Sequence, residues 1–186
     1  HKSYGEISLE YDGISLVPDD RIEKGMIKEF NIGENVILRN GKNFVITSGM
    51  INKFSKSIVD KYDVRIPSLT APLESLSGGN QQKVIFGREI ELDCNTMVFV
   101  HPTRGVDINA AAYIHKIILQ QKNKGKAILI ITSDLDEAFY LSDKIGVLYK
   151  GRIVNEFKRT DFEEGSIKRD EVLRNIGKAM IGVNVV

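Results

Sequence analysis

Apolar positions recur along this chain in two rhythms, and the changes of rhythm mark its elements. Near the start, residues 6–9 and 14–17 are short β-like runs separated by the turn pair Asp12-Gly13. Pro18-Asp19-Asp20-Arg21 closes the second run in a polar loop. Residues 21–33 keep no clean period, with Gly25 and Gly33 as breakers. A short helix is expected over residues 34–39, bounded by Asn40-Gly41. A longer one is expected over about 50–62, after Ser48-Gly49, with Ile51, Phe54, Ile58 and Val59 on one face. Pro67 and Pro72 make an irregular approach to Ser77-Gly78-Gly79. Val84, Ile85, Ile90 and Leu92 then carry a helix of about four turns.

The rhythm changes again at residues 97–100. This apolar run has no alternation, as expected of a strand covered on both faces. Pro102-Thr103-Arg104-Gly105 breaks it, and Asp107 is placed to cap a helix whose core face is Ala110, Ile114, Ile117, Ile118 and Gln121. Asn123-Lys124-Gly125 stops that helix. Residues 127–131 form a second expected buried strand. Thr132 or Ser133 caps the next helix, with Asp134, Asp136 and Glu137 in its first turn, where negative charge is favourable. Two β runs, 145–149 and 152–157, flank the turn pair Lys150-Gly151.

Strand, helix, strand, helix, strand from 97 to 149 predicts an α/β fold with a parallel sheet flanked by helices. A mainly helical subdomain is expected over roughly residues 20–95, within a domain covering 1–157. In residues 158–171, 9 of 14 side chains are charged, which predicts a solvated linker. A last amphipathic helix with Val172, Leu173, Ile176 and Met180 completes a second segment, 158–186.

Composition narrows the function classes. With 42% hydrophobic and 27% charged residues, the chain reads as an ordinary globular protein. Its 26 basic and 25 acidic residues leave a net charge of +1, without the basic surplus that nucleic-acid binding usually requires. Cys94 is the sole cysteine, so no intrachain disulfide forms, and it reads as a buried structural thiol. No zinc-type Cys/His spacing occurs, so no metal site is expected on that ground. Residues 1–5 lead into no apolar signal region, and the longest aliphatic stretch, 127–131, is far short of a membrane span. Any membrane role is expected to run through a partner.

The candidate chemistry lies in Leu76-Ser77-Gly78-Gly79-Asn80-Gln81-Gln82-Lys83. A serine and two glycines precede a helix whose first N–H groups have no intrahelical acceptor. That end carries partial positive charge, and glycines let a ligand approach the backbone. Ser77 either caps the helix or gives its hydroxyl to a phosphate oxygen. His115, beside Lys116, reads as an edge or solvated histidine; Phe139 and Tyr140 read as packing residues.

Three stretches stand in a fixed order: the serine-glycine motif, Pro102-Thr103-Arg104-Gly105-Val106-Asp107, and Ser133-Asp134-Leu135-Asp136-Glu137-Ala138. Together they resemble the nucleotide-binding domain of ABC transporters, a P-loop NTPase family. The first resembles its signature motif, the second the end of its Walker B strand with the D-loop, the third its switch region. The resemblance covers about residues 5–182 and narrows to importers of simple sugars and nucleosides, in their second, C-terminal nucleotide-binding domain. It is carried there by Asn80-Gln81-Gln82-Lys83, by the Pro-Thr-Arg-Gly-Val-Asp form, by residues 13–21 and by residues 35–40. Tyr113-Ile114-His115-Lys116 and Asp134-Leu135-Asp136-Glu137 favour the nucleoside branch, with ribose or galactose as the alternative.

The resemblance implies two domains sandwiching ATP head to tail. Ser77, Gly78, Gly79, Asn80 and Gln81 then serve ATP in trans, the first three at its γ-phosphate, and Asp107 is the D-loop aspartate. ATP and Mg2+ are held mainly by the partner domain. The implied partners are a second nucleotide-binding domain of the same transporter, transmembrane permease subunits and, indirectly, a substrate-binding protein. The implied location is the cytoplasmic face of the membrane.

Departures from the family pattern matter as much. No Gly-x-x-x-x-Gly-Lys-[Ser/Thr] phosphate loop occurs in these residues. The family's Walker B Asp-Glu is replaced by Val100-His101. Valine cannot hold a magnesium-bound water. His101 either accepts a proton from an attacking water or is a tolerated polar residue. Ser133 stands at the switch-histidine position, and Asp19 where a glutamine usually meets magnesium and water. These four altered positions predict a degenerate site in cis beside a usable signature in trans, and no hydrolysis by the chain alone. A non-hydrolysing, ATP-responsive dimerisation module is the alternative. A soluble relative acting on ribosomes or DNA is disfavoured by the near-neutral charge.

Overall fold

The computed structural model describes residues 13–39 and 46–183. The run at 6–9, the Asp12 half of the first turn and the Asn40-Gly41 boundary lie outside these residues. The chain divides into two compact units, residues 1–131 and 132–186.

The first unit holds a three-stranded parallel sheet in the order β1 (Ile14–Val17), β2 (Thr96–Val100), β3 (Ala127–Ile131). Between β1 and β2 the regular elements among the described residues are helical: a five-residue π-type turn at Arg21–Gly25, α1 (Ile32–Ile37), α2 (Ser48–Lys61), a 3-10 turn at Leu73–Ser75 and α3 (Gly78–Ile90). α4 (Ile108–Asn123) returns the chain from β2 to β3. The expected parallel sheet is present.

Local chemistry moved several boundaries. Gly33 was expected to break structure, yet it lies inside α1. Asn31 caps that helix: its Oδ1 accepts the Glu34 N–H, and the Glu34 carboxylate accepts the Asn31 N–H. That reciprocal pair starts the helix at Ile32, two residues before the expected start at residue 34, and the missing Cβ of Gly33 leaves room for Ile51. Thr47 caps α2, which starts at Ser48.

The core lies on one sheet face, where Val17, Met97 and Phe99 are fully buried with Val84, Ile85 and Phe86 of α3 and Ile114 of α4. Phe86 and Phe99 stack at 5.1 Å. A buried ionic cluster joins α3 to the strands: Glu89 meets Arg39 at 2.7 Å and Arg88 at 3.0 Å, and accepts the Leu16 N–H. Arg88 also donates to the carbonyls of Asn35 and Gly25. The opposite sheet face differs from expectation. Residues 127–131 were read as a buried strand, but Leu129 is 54% and Ile131 47% exposed. In register with them, Leu16 is also exposed. Unbroken apolarity records two sheet faces suited to burial, and only one is covered among the described residues.

The second unit contains α5 (Leu135–Leu141), β4 (Lys144–Tyr149), β5 (Arg152–Lys158), α6 (Arg159–Phe162) and α7 (Arg169–Met180). Here the third strand of the expected parallel series departs from the pattern. β4 pairs antiparallel with β5 in a separate two-stranded sheet, because the Lys150-Gly151 turn, with both residues at positive φ, folds it back on its neighbour. The segment read as solvated linker contains α6, whose Phe162 is 1% exposed and stacks on Phe139. One aromatic among nine charges is enough to fasten it. α7 buries Val172, Ile176 and Ala179, while Leu173 and Met180 stay on its exposed side.

Candidate functional site

Three stretches remote in sequence meet at the N-terminal end of α3: the loop at residues 19–21, residues 77–82, and the turn at residues 102–107. Ser77 caps α3 with Oγ, which accepts the Asn80 backbone N–H at 3.4 Å and Asn80 Nδ2 at 3.0 Å. A hydroxyl that accepts two bonds still carries a proton to donate. The N–H groups of Gly78 and Gly79 belong to the first turn, which offers them no intrahelical acceptor. Asn80 Oδ1 receives the Arg65 N–H at 2.9 Å.

Both glycines also have an intrachain reason to lack a side chain. A Cβ on Gly78 would lie 2.7 Å from Arg21 Nη2 and 3.1 Å from the Gly105 carbonyl. One on Gly79 would lie 3.0 Å from Ala110 Cβ and 3.3 Å from Asp107 Oδ2. Asp107 caps α4 as the sequence predicts, accepting the Ala110 N–H at 3.0 Å. Gln82 donates to the Pro102 carbonyl at 2.9 Å. The starts of α3 and α4 are thus held side by side.

Gln81 is almost fully buried and its side chain is committed within the chain. Nε2 donates to the carbonyls of Glu74 at 3.1 Å and Leu76 at 3.0 Å, and Oε1 accepts from Arg21 Nε at 3.1 Å. Arg21 Nη1 donates to the Arg104 carbonyl at 3.2 Å. Arg21 and Arg104, with Asp19, Asp20, Ile22 and Gly105, line a depression of about 330 Å3. Sequence reasoning passed over Arg21 as an individual; its only signal is its place in the polar loop after Pro18.

Asp19 pairs with Lys24 at 2.8 Å, and this ammonium holds its carboxyl below the usual carboxylate range. Asp20 caps the π-type turn, and the N–H groups of Glu23 and Ile22 lower its pKa in the same way. Val100 ends β2 opposite Ile131. His101 follows in the left-handed region, φ +47°, with its N–H on the Ile131 carbonyl at 2.8 Å and its own carbonyl accepting the Arg104 N–H at 3.0 Å. Ser133 lies exposed in the second unit. There Asp134, rather than Thr132 or Ser133, caps α5, and Thr132 Oγ1 accepts the Asp134 N–H. A carboxylate accepts the first-turn N–H more strongly than a hydroxyl. Cys94 is buried and His115 half-buried; Phe139 is buried, while Tyr140 is 56% exposed. Among the described residues, no three His, Cys, Asp or Glu side chains gather as a metal site, and no helix is long and apolar enough to cross a membrane.

The fold is that of an ATP-binding cassette. It matches a dimeric, post-hydrolysis state of the ATP-binding cassette MJ0796 bound to ADP and Pi with a TM-score of 0.67, at 20% identity over 80% of this chain and 63% of that one. A structure described as the ATP binding subunit of an ABC transporter matches equally well, covering 89% of this chain and 68% of that one.

Within that class, the chain is homologous to nucleoside and sugar import ATP-binding proteins. It is 38% identical to the guanosine import ATP-binding protein NupO of Bacillus subtilis (strain 168) over 176 residues, 90% of this chain and 34% of the relative. It is 37% identical to the nucleoside import ATP-binding protein NupA of Lactococcus lactis subsp. cremoris (strain MG1363), over 75% of this chain and 29% of that one. The xylose import ATP-binding protein XylG of Moorella thermoacetica (strain ATCC 39073 / JCM 9320) is 35% identical over 84% of this chain and 32% of its own length. The chain spans about a third of the length of these curated relatives. No protein-family model matches it.

Proposed function

We propose that this chain is part of the ATP-binding subunit of an importer for nucleosides or simple sugars, and that it serves ATP held by a partner nucleotide-binding domain. The observation that carries this reading is the N-terminal edge of α3. There the exposed Ser77 keeps a hydroxyl proton to donate, and the N–H groups of Gly78 and Gly79 have no acceptor within the helix. An exposed helix N-terminus contributes only about 0.3–1 kcal/mol to holding an anion, and up to about 2 when partly buried. The edge therefore acts as a sensor of closure around ATP bound elsewhere, with Asp107 shaping the same face. Gln81 supports the edge from behind, since its side chain is fully engaged within the chain.

The chain's own site is degenerate in this reading. Val100 supplies no ligand for magnesium, and the Asp19 carboxylate is tied to Lys24. In this reading Mg2+ and ATP are held mainly by the partner domain, the permease subunits lie in the membrane, and this chain sits at its cytoplasmic face. Purified alone, the chain is expected to show no ATP turnover above background; robust turnover contradicts the reading of Val100 and His101. The relatives named for guanosine and nucleoside import favour a nucleoside cargo. Uptake of guanosine or uridine by the assembled transporter, in preference to ribose and galactose, is the expected result, and uptake of sugar alone contradicts it.

A further inference from the structure

We infer that Arg21 is a positioning residue that sets the geometry of the Ser77 edge through Gln81. A guanidinium at the positive end of a helix is electrostatically misplaced unless acceptors surround it. Arg21 has two: Nε donates to Gln81 Oε1 at 3.1 Å and Nη1 to the Arg104 carbonyl at 3.2 Å. Its Nη2 occupies the space where a side chain on Gly78 would begin.

The chemistry of the pair is directional. A guanidinium only donates, so Gln81 must present its oxygen to Arg21. Its Nε2 is then turned to the other side, where it holds the carbonyls of Glu74 and Leu76, the latter directly preceding Ser77. Arg21 on one side and the two carbonyls on the other thereby hold a buried amide in one of its two orientations, and that amide fixes the backbone entering the cap. The same guanidinium ties this assembly to the Arg104-Gly105 turn, two residues before Asp107. One side chain thus joins loop 19–21 to the α3 cap and to the turn before α4, beside the Gln82–Pro102 bond that also holds the two helix starts.

This inference rests on the proposed trans role of the Ser77 edge. In the assembled transporter, Arg21→Ala is expected to lower kcat for ATP turnover by at least about tenfold while leaving KM for ATP within about twofold, because ATP is held by the partner domain. Gln81→Glu keeps an acceptor for Arg21 but loses both donors to the carbonyls. It is expected to lower kcat similarly, and the double variant to be no worse than either single one. Arg21→Lys keeps the charge but loses the two-pronged fork, and gives the same test should the alanine variant not fold. Unchanged kcat, a raised KM at full kcat, or additive losses overturn the inference. Ser77→Arg is measured in parallel. If turnover survives Ser77→Arg, the trans reading itself fails. If it is lost there but intact in Arg21→Ala, only the positioning role fails.

Discussion

Gly87 sits where α2 crosses α3, and a Cβ there would lie 2.8 Å from both Ile58 Cγ2 and the Tyr62 ring. Alanine is the better helix former by about 0.8–1 kcal/mol. Overpacking of a filled contact typically costs about 1–3 kcal/mol. Gly87→Ala is expected to lose up to about 2 kcal/mol net, read by denaturant unfolding; a gain in stability would show that the crossing has slack. Nothing in a single sequence marks this glycine, because its constraint comes from a helix some thirty residues earlier in the chain. By contrast, the Ser77 and Asp107 caps were legible, since a cap is a local pairing between a short polar side chain and the N–H three residues on. The commitments of Gln81 and Arg21 were not legible, because their partners are brought together only by folding.

At the scale of elements, periodicity located most helices and strands, and local chemistry moved their ends. The Asn31–Glu34 capping box lengthened α1 at its start. A buried carboxylate on α3 ties in β1 and Arg39, which apolar periodicity cannot indicate. The most instructive departure is α6. Nine charges in residues 158–171 suggested a solvated segment, yet Phe162 packs with Phe139, Ile145, Val147, Val172 and Ile176. Its truncation removes a full aromatic side chain from a small core. Phe162→Ala is expected to cost about 3–5 kcal/mol in the unit 132–186, measured by chemical or thermal unfolding. A cost under about 1 kcal/mol would restore the solvated-linker reading, since surface substitutions rarely exceed about 0.5 kcal/mol.

At the scale of the whole molecule, the order of three motifs made the fold class legible, and the cassette fold and the homologous import proteins agree with it. The β4–β5 hairpin was legible in the Lys150-Gly151 turn, but not that this pair leaves the parallel series, because a short apolar run looks the same in either sheet. Nor was the exposed sheet face carrying Leu16, Leu129 and Ile131, since the residues are as apolar as those of the covered face. The proposed function is an asymmetry, in which the chain would contribute an edge to a site elsewhere and lack a working one of its own. ATP turnover by the assembled transporter tests it most directly, comparing Ser77→Arg with His101→Asn. Asparagine tolerates the left-handed backbone at position 101 and removes the imidazole. Ser77→Arg is expected to abolish turnover, while His101→Asn leaves it within about twofold, a change of under about 0.5 kcal/mol. Full turnover in Ser77→Arg together with loss in His101→Asn would contradict it.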